Sequence, residues 1–368
     1  MTSYRHLFIE PGCAGYYLQM VISLLYLSFF SLFYFCHSLK IALLDGISPS
    51  PLLRMGLEIV EVEKNPNILI CRGSTVDKEQ LTACADLKMV IRAGAGYNNI
   101  DVKTASELDI AVCNTPGQNA IAVSELVFGL ILSLDRRIQE SNDSIEKGIW
   151  DKVSLSKRQR GLFSRNLGVI GCGNIGQQVI RRAAAFGMNV NVWSKRYDNV
   201  KEPIAMSREE ASQIGLDWCL DLIDIIIMPS VLSVAKTSDV MTVHVQPSEG
   251  TKHLIGAEIL EAMPNNAILI NTAREDVLDM EALLDYCSVH PEKKLRFGLD
   301  VWRDENVYTF AEGNARLIDL MNREGDKVIL GTPHIGASTN QAQEAVVKEM
   351  LKVVSTYVDS GIILNRVN

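Results

Sequence analysis

The sequence has eight cysteines and no C-x-x-C pair among them, so the ligand spacing of a structural zinc site is missing. Cys13, Cys36, Cys71, Cys84, Cys113, Cys172, Cys219 and Cys287 lie singly in apolar runs. That placement predicts buried free thiols in a reducing compartment. A basic surplus is also missing: 36 Lys and Arg against 44 Asp and Glu give a net charge of −8. Wholesale nucleic-acid binding, which needs cationic surface to neutralise phosphates, is thereby disfavoured. A local basic pocket for an acidic ligand is not. There is no short-period repeat and no low-complexity tract, so neither a repeat array nor large-scale disorder is indicated.

What is present is an ordinary globular balance, 47% hydrophobic and 22% charged, over 368 residues. That length predicts two domains at about 100–200 residues each. The N-terminus departs from the pattern. Residues 16–36 carry no charge and are long enough to span a bilayer, which takes about 20 residues. A secretory signal fits poorly, because the apolar run is too long and only Arg5 supplies a basic flank. A membrane anchor and a translation or gene-model artefact stay open. Residues 1–37 are set apart as an extension, and a chain starting near Ser38 is expected to be soluble.

Strand-like runs begin at Lys40: KIALLD (Lys40–Asp45), ILICR (Ile68–Arg72), LKMVIRAG (Leu87–Gly94) and IAVCNTPG (Ile110–Gly117). Helical stretches such as Lys78–Ala85 separate them, which predicts parallel α/β structure. The apolar positions of Ala120–Ile138 are too dense for a surface helix and predict a buried one. A second α/β series starts at Asn166–Gly171, and a last helix covers about Thr339–Ser360. LDLIDIIIMP (Leu220–Pro229) fits this series poorly. It reads as an extra buried element or as foreign sequence whose deletion leaves nucleotide binding intact.

LGVIGCGNIG (Leu167–Gly176) holds G-x-G-x-x-G at Gly171, Gly173 and Gly176, between an apolar strand and a predicted helix over Gln177–Phe186. In that context the pattern predicts a dinucleotide site. Gly171 permits the tight turn, Gly173 the approach of a pyrophosphate, and Gly176 close helix–strand packing. Asn174 and Ile175 open the helix whose N–H groups face the phosphates. The next strand, Met188–Trp193, ends in Ser194, Lys195 and Arg196, where an NAD site usually has a carboxylate for the ribose 2′-hydroxyl. A hydroxyl and two cations favour a 2′-phosphate, hence NADP, with NAD as the alternative.

Six separated segments carry a resemblance: RAGAGYNNID (Arg92–Asp101), NTPG (Asn114–Gly117), LGVIGCGNIG, NTAREDVLD (Asn271–Asp279), FGLDVWRDE (Phe297–Glu305) and TPHIGAS (Thr332–Ser338). From about Lys40 to the C-terminus the sequence resembles the D-isomer-specific 2-hydroxyacid dehydrogenases, and within that family the phosphoglycerate dehydrogenases. The resemblance implies two Rossmann-like, doubly wound parallel-sheet domains. The cofactor domain (119–336) is inserted into the substrate domain (38–118 with 337–368), and two helices run from one to the other. It also implies a homodimer or larger assembly; no metal is expected on the cysteine spacing, and the expected location is cytoplasmic unless the N-terminal run anchors the chain.

By the same resemblance Arg274, Glu305 and His334 form the catalytic set. Their chemistry suits reduction of a keto acid: a cation for the carboxylate and developing oxyanion, an imidazole for the proton, and a carboxylate to orient it. Thr272 and Asp300 fall in the cofactor site, Asp300 at the nicotinamide carboxamide. Glu275 departs from the family, which commonly has glycine after the arginine. The first domain is shorter than usual between Val60 and Ile68, and a serine-binding regulatory domain is not expected. Arg72, heading Arg72-Gly73-Ser74-Thr75, matches a phosphate-binding arginine. The N–H groups of Ala93, Gly94, Ala95, Gly96 and Tyr97 are candidates for a carboxylate.

The favoured reaction is 3-phosphoglycerate to 3-phosphohydroxypyruvate. A glyoxylate or hydroxypyruvate reductase and a dinucleotide-sensing corepressor-like binding protein are the alternatives; turnover separates the last from the first two.

Overall fold

The computed structural model describes residues 39–290, 294–305, 308–322 and 328–368. The apolar run at 16–36 lies outside them. No helix among the described residues is long and apolar enough to cross a membrane. The chain divides into two compact units, one running to Pro116 and resuming at Ala345–Asn368, the other Gly117–Glu344.

The first unit holds β1 (Lys40–Leu43), β2 (Glu58–Val60), β3 (Ile68–Cys71), β4 (Met89–Arg92) and β5 (Ala111–Cys113). They form one sheet in the order β2-β1-β3-β4-β5, every pair parallel. Successive strand residues point to opposite faces, and here both faces are buried. Ile41, Ile70 and Ile91 pack with Met350, Val353 and Val354, whereas Ala42, Leu69 and Val90 pack with Leu81 and Ala105. Continuous apolar strands are what a parallel sheet covered on both sides requires.

The second unit contributes α1 (Ala120–Asp135), β6 (Asn166–Ile170), α2 (Asn174–Ala185), β7 (Asn189–Trp193), β8 (Ile204–Ala205), β9 (Ile225–Ile227), β10 (Val240–Val243), β11 (Ile268–Asn271), β12 (Arg296–Leu299) and β13 (Ile329–Gly331). The sheet order is β13-β12-β11-β10-β6-β7-β9-β8, parallel except for β8 against β9. Strand order reverses beside β6, the doubly wound topology, which opens a ligand crevice at the carboxyl ends of the strands. The last helix, α3 (Asn340–Ser360), runs from the end of the second unit into the first.

One expectation is corrected, and one left open is decided. The apolar helix predicted to Ile138 ends at Asp135, because Arg137 takes the left-handed conformation (φ 53°) and a separate helix begins at Ile138. A long side chain at positive φ breaks helical hydrogen bonding. Of the two readings of Leu220–Pro229, the extra buried element holds and the foreign sequence does not. Ile225–Ile227 is β9, hydrogen-bonded to β7 and β8, with Ile225 and Ile227 each 1% exposed. Deleting it would uncover β7, the strand that leads into Ser194.

Candidate active site

Most of the candidate residues of the second unit follow the carboxyl end of a parallel strand. Gly171 follows β6, Ser194 follows β7, Thr272 and Arg274 follow β11, Asp300 and Glu305 follow β12, and His334 follows β13. Parallel pairing aligns those ends, so residues as far apart in sequence as Gly171 and His334 gather on one edge.

Gly171 has φ +102°, and a Cβ on it would lie 2.7 Å from the His244 carbonyl oxygen, so the turn requires glycine. The α2 N-cap, Gly173, has no side-chain cap and open space where a Cβ would stand. Unsatisfied N–H groups and partial positive charge at the start of a 12-residue helix suit a pyrophosphate. Asn174 and Ile175 form its first turn, and Gly176 packs so closely on Gly171 that a Cβ would strike the Gly171 carbonyl. Thr272 Oγ1 and His244 Nδ1 are buried polar atoms without a hydrogen-bond partner among the described residues. Burial pushes His244 down to about 3, so its imidazole is neutral, and Nε2 lies 2.9 Å from Thr242 Oγ1. These unspent groups fit a dinucleotide. Motif reading missed His244; its place after β10, next to the glycine turn, was the available signal.

After β7, Ser194 is extended (φ −159°, ψ 149°), and Lys195 and Arg196 are exposed. Arg196 lies beside Tyr197 in the short turn after Ser194. Burial raises the Tyr197 phenol above its ordinary value, against the opposing effect of the arginine.

His334 Nδ1 lies 2.6 Å from Glu305 Oε2, which leaves Nε2 free to face a ligand. Burial alone would raise the Glu305 carboxyl. The His334 contact, the Trp302 N–H and the Arg274 charge outweigh it and hold the group below the usual range. Arg274 is half-buried, its Nη1 donating to the Ala273 carbonyl at 2.7 Å. Burial lowers its pKa below the ordinary arginine range, and Glu305 opposes that shift. Arg274, Glu305 and His334 therefore act on one another as a set.

Asp300, expected at the nicotinamide carboxamide, follows β12 and is buried. Its carboxylate accepts from Thr332 Oγ1 (2.6 Å), Ile335 N–H (2.9 Å) and Gly336 N–H (2.9 Å), anchoring the turn that carries His334.

Residues 128–336 match the family described as D-isomer specific 2-hydroxyacid dehydrogenase, NAD binding domain. The chain is 36% identical over 304 residues to a D-3-phosphoglycerate dehydrogenase of Methanocaldococcus jannaschii, covering 81% of this chain and 51% of that one. It is 35% identical over 298 residues to a hydroxypyruvate reductase of Thermotoga maritima, covering 81% of this chain and 86% of that one. The chain belongs to the D-isomer specific 2-hydroxyacid dehydrogenase family. Among solved folds, a D-lactate dehydrogenase from Aquifex aeolicus, complexed with NAD and lactic acid, superposes with a TM-score of 0.71. It is 24% identical, over 89% of this chain and all of that one. The chain spans about half the length of the phosphoglycerate dehydrogenase it matches.

The family member's first unit presents its own candidate residues after β3 and β4. Arg72 is exposed, and its loop is organised by Asp45, which follows β1. The N–H groups of Arg72 (2.6 Å) and Gly73 (2.9 Å) donate to Asp45 Oδ2, and Ser74 N–H donates to both oxygens. The Ser74 hydroxyl also donates to Asp45. Burial would raise the Asp45 carboxyl, but these bonds hold it below its ordinary range. In the loop after β4, the proposed run of free N–H groups is shorter than expected. Ala93 N–H donates to the Cys71 carbonyl (2.8 Å) and Gly94 N–H to the Arg92 carbonyl (2.9 Å). The N–H groups of Ala95, Gly96 and Tyr97 take no backbone or side-chain partner among the described residues.

Proposed function

We propose that this dehydrogenase-family chain interconverts a small D-2-hydroxy acid and its 2-keto acid, with a nicotinamide dinucleotide as hydride carrier. The observation that carries this reading is the Glu305–His334 pair beside Arg274 at the carboxyl edge of a dinucleotide-binding sheet. The bound nicotinamide supplies or accepts the hydride. Arg274 grips the substrate carboxylate and stabilises negative charge developing on the carbonyl oxygen. His334 Nε2 delivers a proton to that oxygen as the carbonyl carbon becomes a secondary alcohol, and takes it back in the oxidative direction. Glu305 receives the Nδ1 proton as a hydrogen bond and stabilises the imidazolium.

The substrate assigned is 3-phosphoglycerate and its keto product, with the exposed guanidinium of Arg72 as phosphate reader. A second reading, hydroxypyruvate or glyoxylate reductase, is favoured by Asp45. Its carboxylate already occupies the N–H groups of the Arg72 loop and would repel a phosphate there. The cofactor assigned is NADP, on Ser194, Lys195 and Arg196, with NAD the alternative. A homodimer is part of the same reading, supported by apolar side chains the second unit exposes, among them Ile145, Ile149 and Trp150 at 63%, 52% and 83%. A cytoplasmic location goes with it, supported by the buried unpaired thiols Cys71, Cys84, Cys113, Cys172 and Cys219.

The test is an initial-rate panel of phosphohydroxypyruvate, hydroxypyruvate and glyoxylate with NADH and NADPH, on the wild type, His334→Gln and Ser194→Asp. His334→Gln is expected to lower turnover by roughly 10²–10⁴-fold with cofactor binding retained. Ser194→Asp is expected to shift preference toward NADH. A wild type that turns over none of the three acids sinks the reading, and higher kcat/KM with NADH than NADPH sinks the NADP assignment.

A further inference from the structure

The Glu305–His334 contact joins two loops, one after β12 and one after β13, and Trp302 reaches both. Its backbone N–H donates to Glu305 Oε1 at 3.2 Å, leaving Oε2 for His334 Nδ1. Its indole Nε1–H donates to the Thr332 carbonyl at 2.9 Å. That same carbonyl accepts the His334 backbone N–H at 3.0 Å, so both of its acceptor directions are used. The ring itself is fixed. It is 4% exposed and meets Phe310 edge-on, with centroids 5.6 Å apart. It also lies so close over Gly331 that a Cβ there would collide with the indole.

His334 needs such support, because its φ of 52° is one that non-glycine residues hold only where the surroundings impose it. Asp300 binds the Thr332 hydroxyl and the N–H groups of Ile335 and Gly336, on either side of the histidine. None of those bonds engages the Thr332 carbonyl. Trp302 therefore adds a restraint that Asp300 does not duplicate.

We propose that Trp302 is a positioning residue for proton transfer, its backbone N–H holding the Glu305 carboxylate and its immobile indole N–H holding the Thr332 carbonyl that also receives the His334 N–H. A phenyl ring would fill much of the same space and could not donate to Thr332. The proposal rests on His334 being the proton donor. Arg274 and Glu275 are the other charged groups that act on Glu305, and both stay in place when Trp302 is changed.

The test compares wild type, Trp302→Phe, and protein carrying 3-benzothienylalanine at position 302, an isostere with sulfur in place of the N–H. Initial rates of hydroxypyruvate and glyoxylate reduction are measured across pH, with NADH and NADPH affinities from fluorescence titration. Loss of the indole N–H is expected to lower kcat about 5–10-fold, the size of one neutral hydrogen bond. The alkaline limb of the rate profile should move to lower pH as the imidazolium loses its aligned carboxylate, and cofactor affinity should stay within about twofold. If Trp302→Phe fails to fold, the isostere gives the answer at unchanged volume. An isostere with wild-type kcat and an unshifted alkaline limb overturns the proposal, as does a loss confined to thermal stability or shared equally by cofactor affinity. His334→Gln separates the two levels. If it is inactive while the isostere behaves as wild type, only the role of Trp302 falls. If it turns over normally, the reading beneath falls as well.

Discussion

Glu275 is a carboxylate where the family commonly has glycine, beside Arg274. Burial raises it to about 7, and the neighbouring Asp276 and Glu305 add to the shift while Arg303 opposes it. A carboxyl whose folded value lies above its unfolded value keeps its proton more tightly when folded. Its contribution is then fully present below about pH 4.5 and is lost as pH rises through about 7. Glu275→Gln should therefore melt at a higher temperature than wild type at pH 8, with the gap closing toward pH 5; equal melting at pH 8 would show that the group ionises freely. Arg72 carries a second expectation. Arg72→Ala should weaken a phosphorylated hydroxy acid by about 1.5–3 kcal/mol and barely affect glyoxylate; equal losses in kcat/KM for both would remove the phosphate assignment. At this scale the sequence revealed residue types joined by short motifs: the glycines, and Arg274, Glu305 and His334 in family order. It did not reveal Asp45 under the Arg72 loop, because the partners are 27 to 29 positions apart. Nor did it reveal the work of Asp300 and Trp302, which depends on β12 and β13 lying side by side.

Apolar strands and the glycine-bounded helix were legible to within a few residues because their burial pattern is written locally. β9 was not. Three isoleucines between acidic and small residues match a core strand, a helix segment or an insertion equally well, and only pairing with β7 decides. The end of α1 was hidden similarly, since a left-handed Arg137 has no sequence mark. If β9 is an integral strand, Ile227→Ala should cost about 2–5 kcal/mol in urea unfolding. Leu222→Ala, at a side chain 60% exposed, should change little. A small effect from Ile227→Ala would return the segment to the status of a dispensable insertion.

The division of the whole molecule into units depends on contacts rather than on chain order. The second unit is one continuous stretch, whereas the first is closed by its last segment: Met350, Val353, Val354 and Val358 lie in its core. Strand β5 also takes its final bonds there, Val112 N–H donating to Asn368 Oδ1 at 2.9 Å and Val367 N–H to the Val112 carbonyl at 2.8 Å. Truncation after Glu344 should strip the first unit of cooperative unfolding and expose it to limited proteolysis, while dinucleotide binding by the second survives. Protease resistance of residues 39–116 in the truncated protein would show that α3 is not needed to close that core.

This closure has a consequence during synthesis. Residues 39–116 leave the ribosome before the second unit, yet the helix that covers Ile41, Ile70 and Ile91 is made only after that entire unit. At about 5–20 residues per second, one oily face of a nearly complete sheet stands bare for roughly ten to fifty seconds. Through that interval the nascent first unit is a natural client for holding factors and a hazard on crowded polysomes, whereas the second unit can fold as soon as its own end emerges.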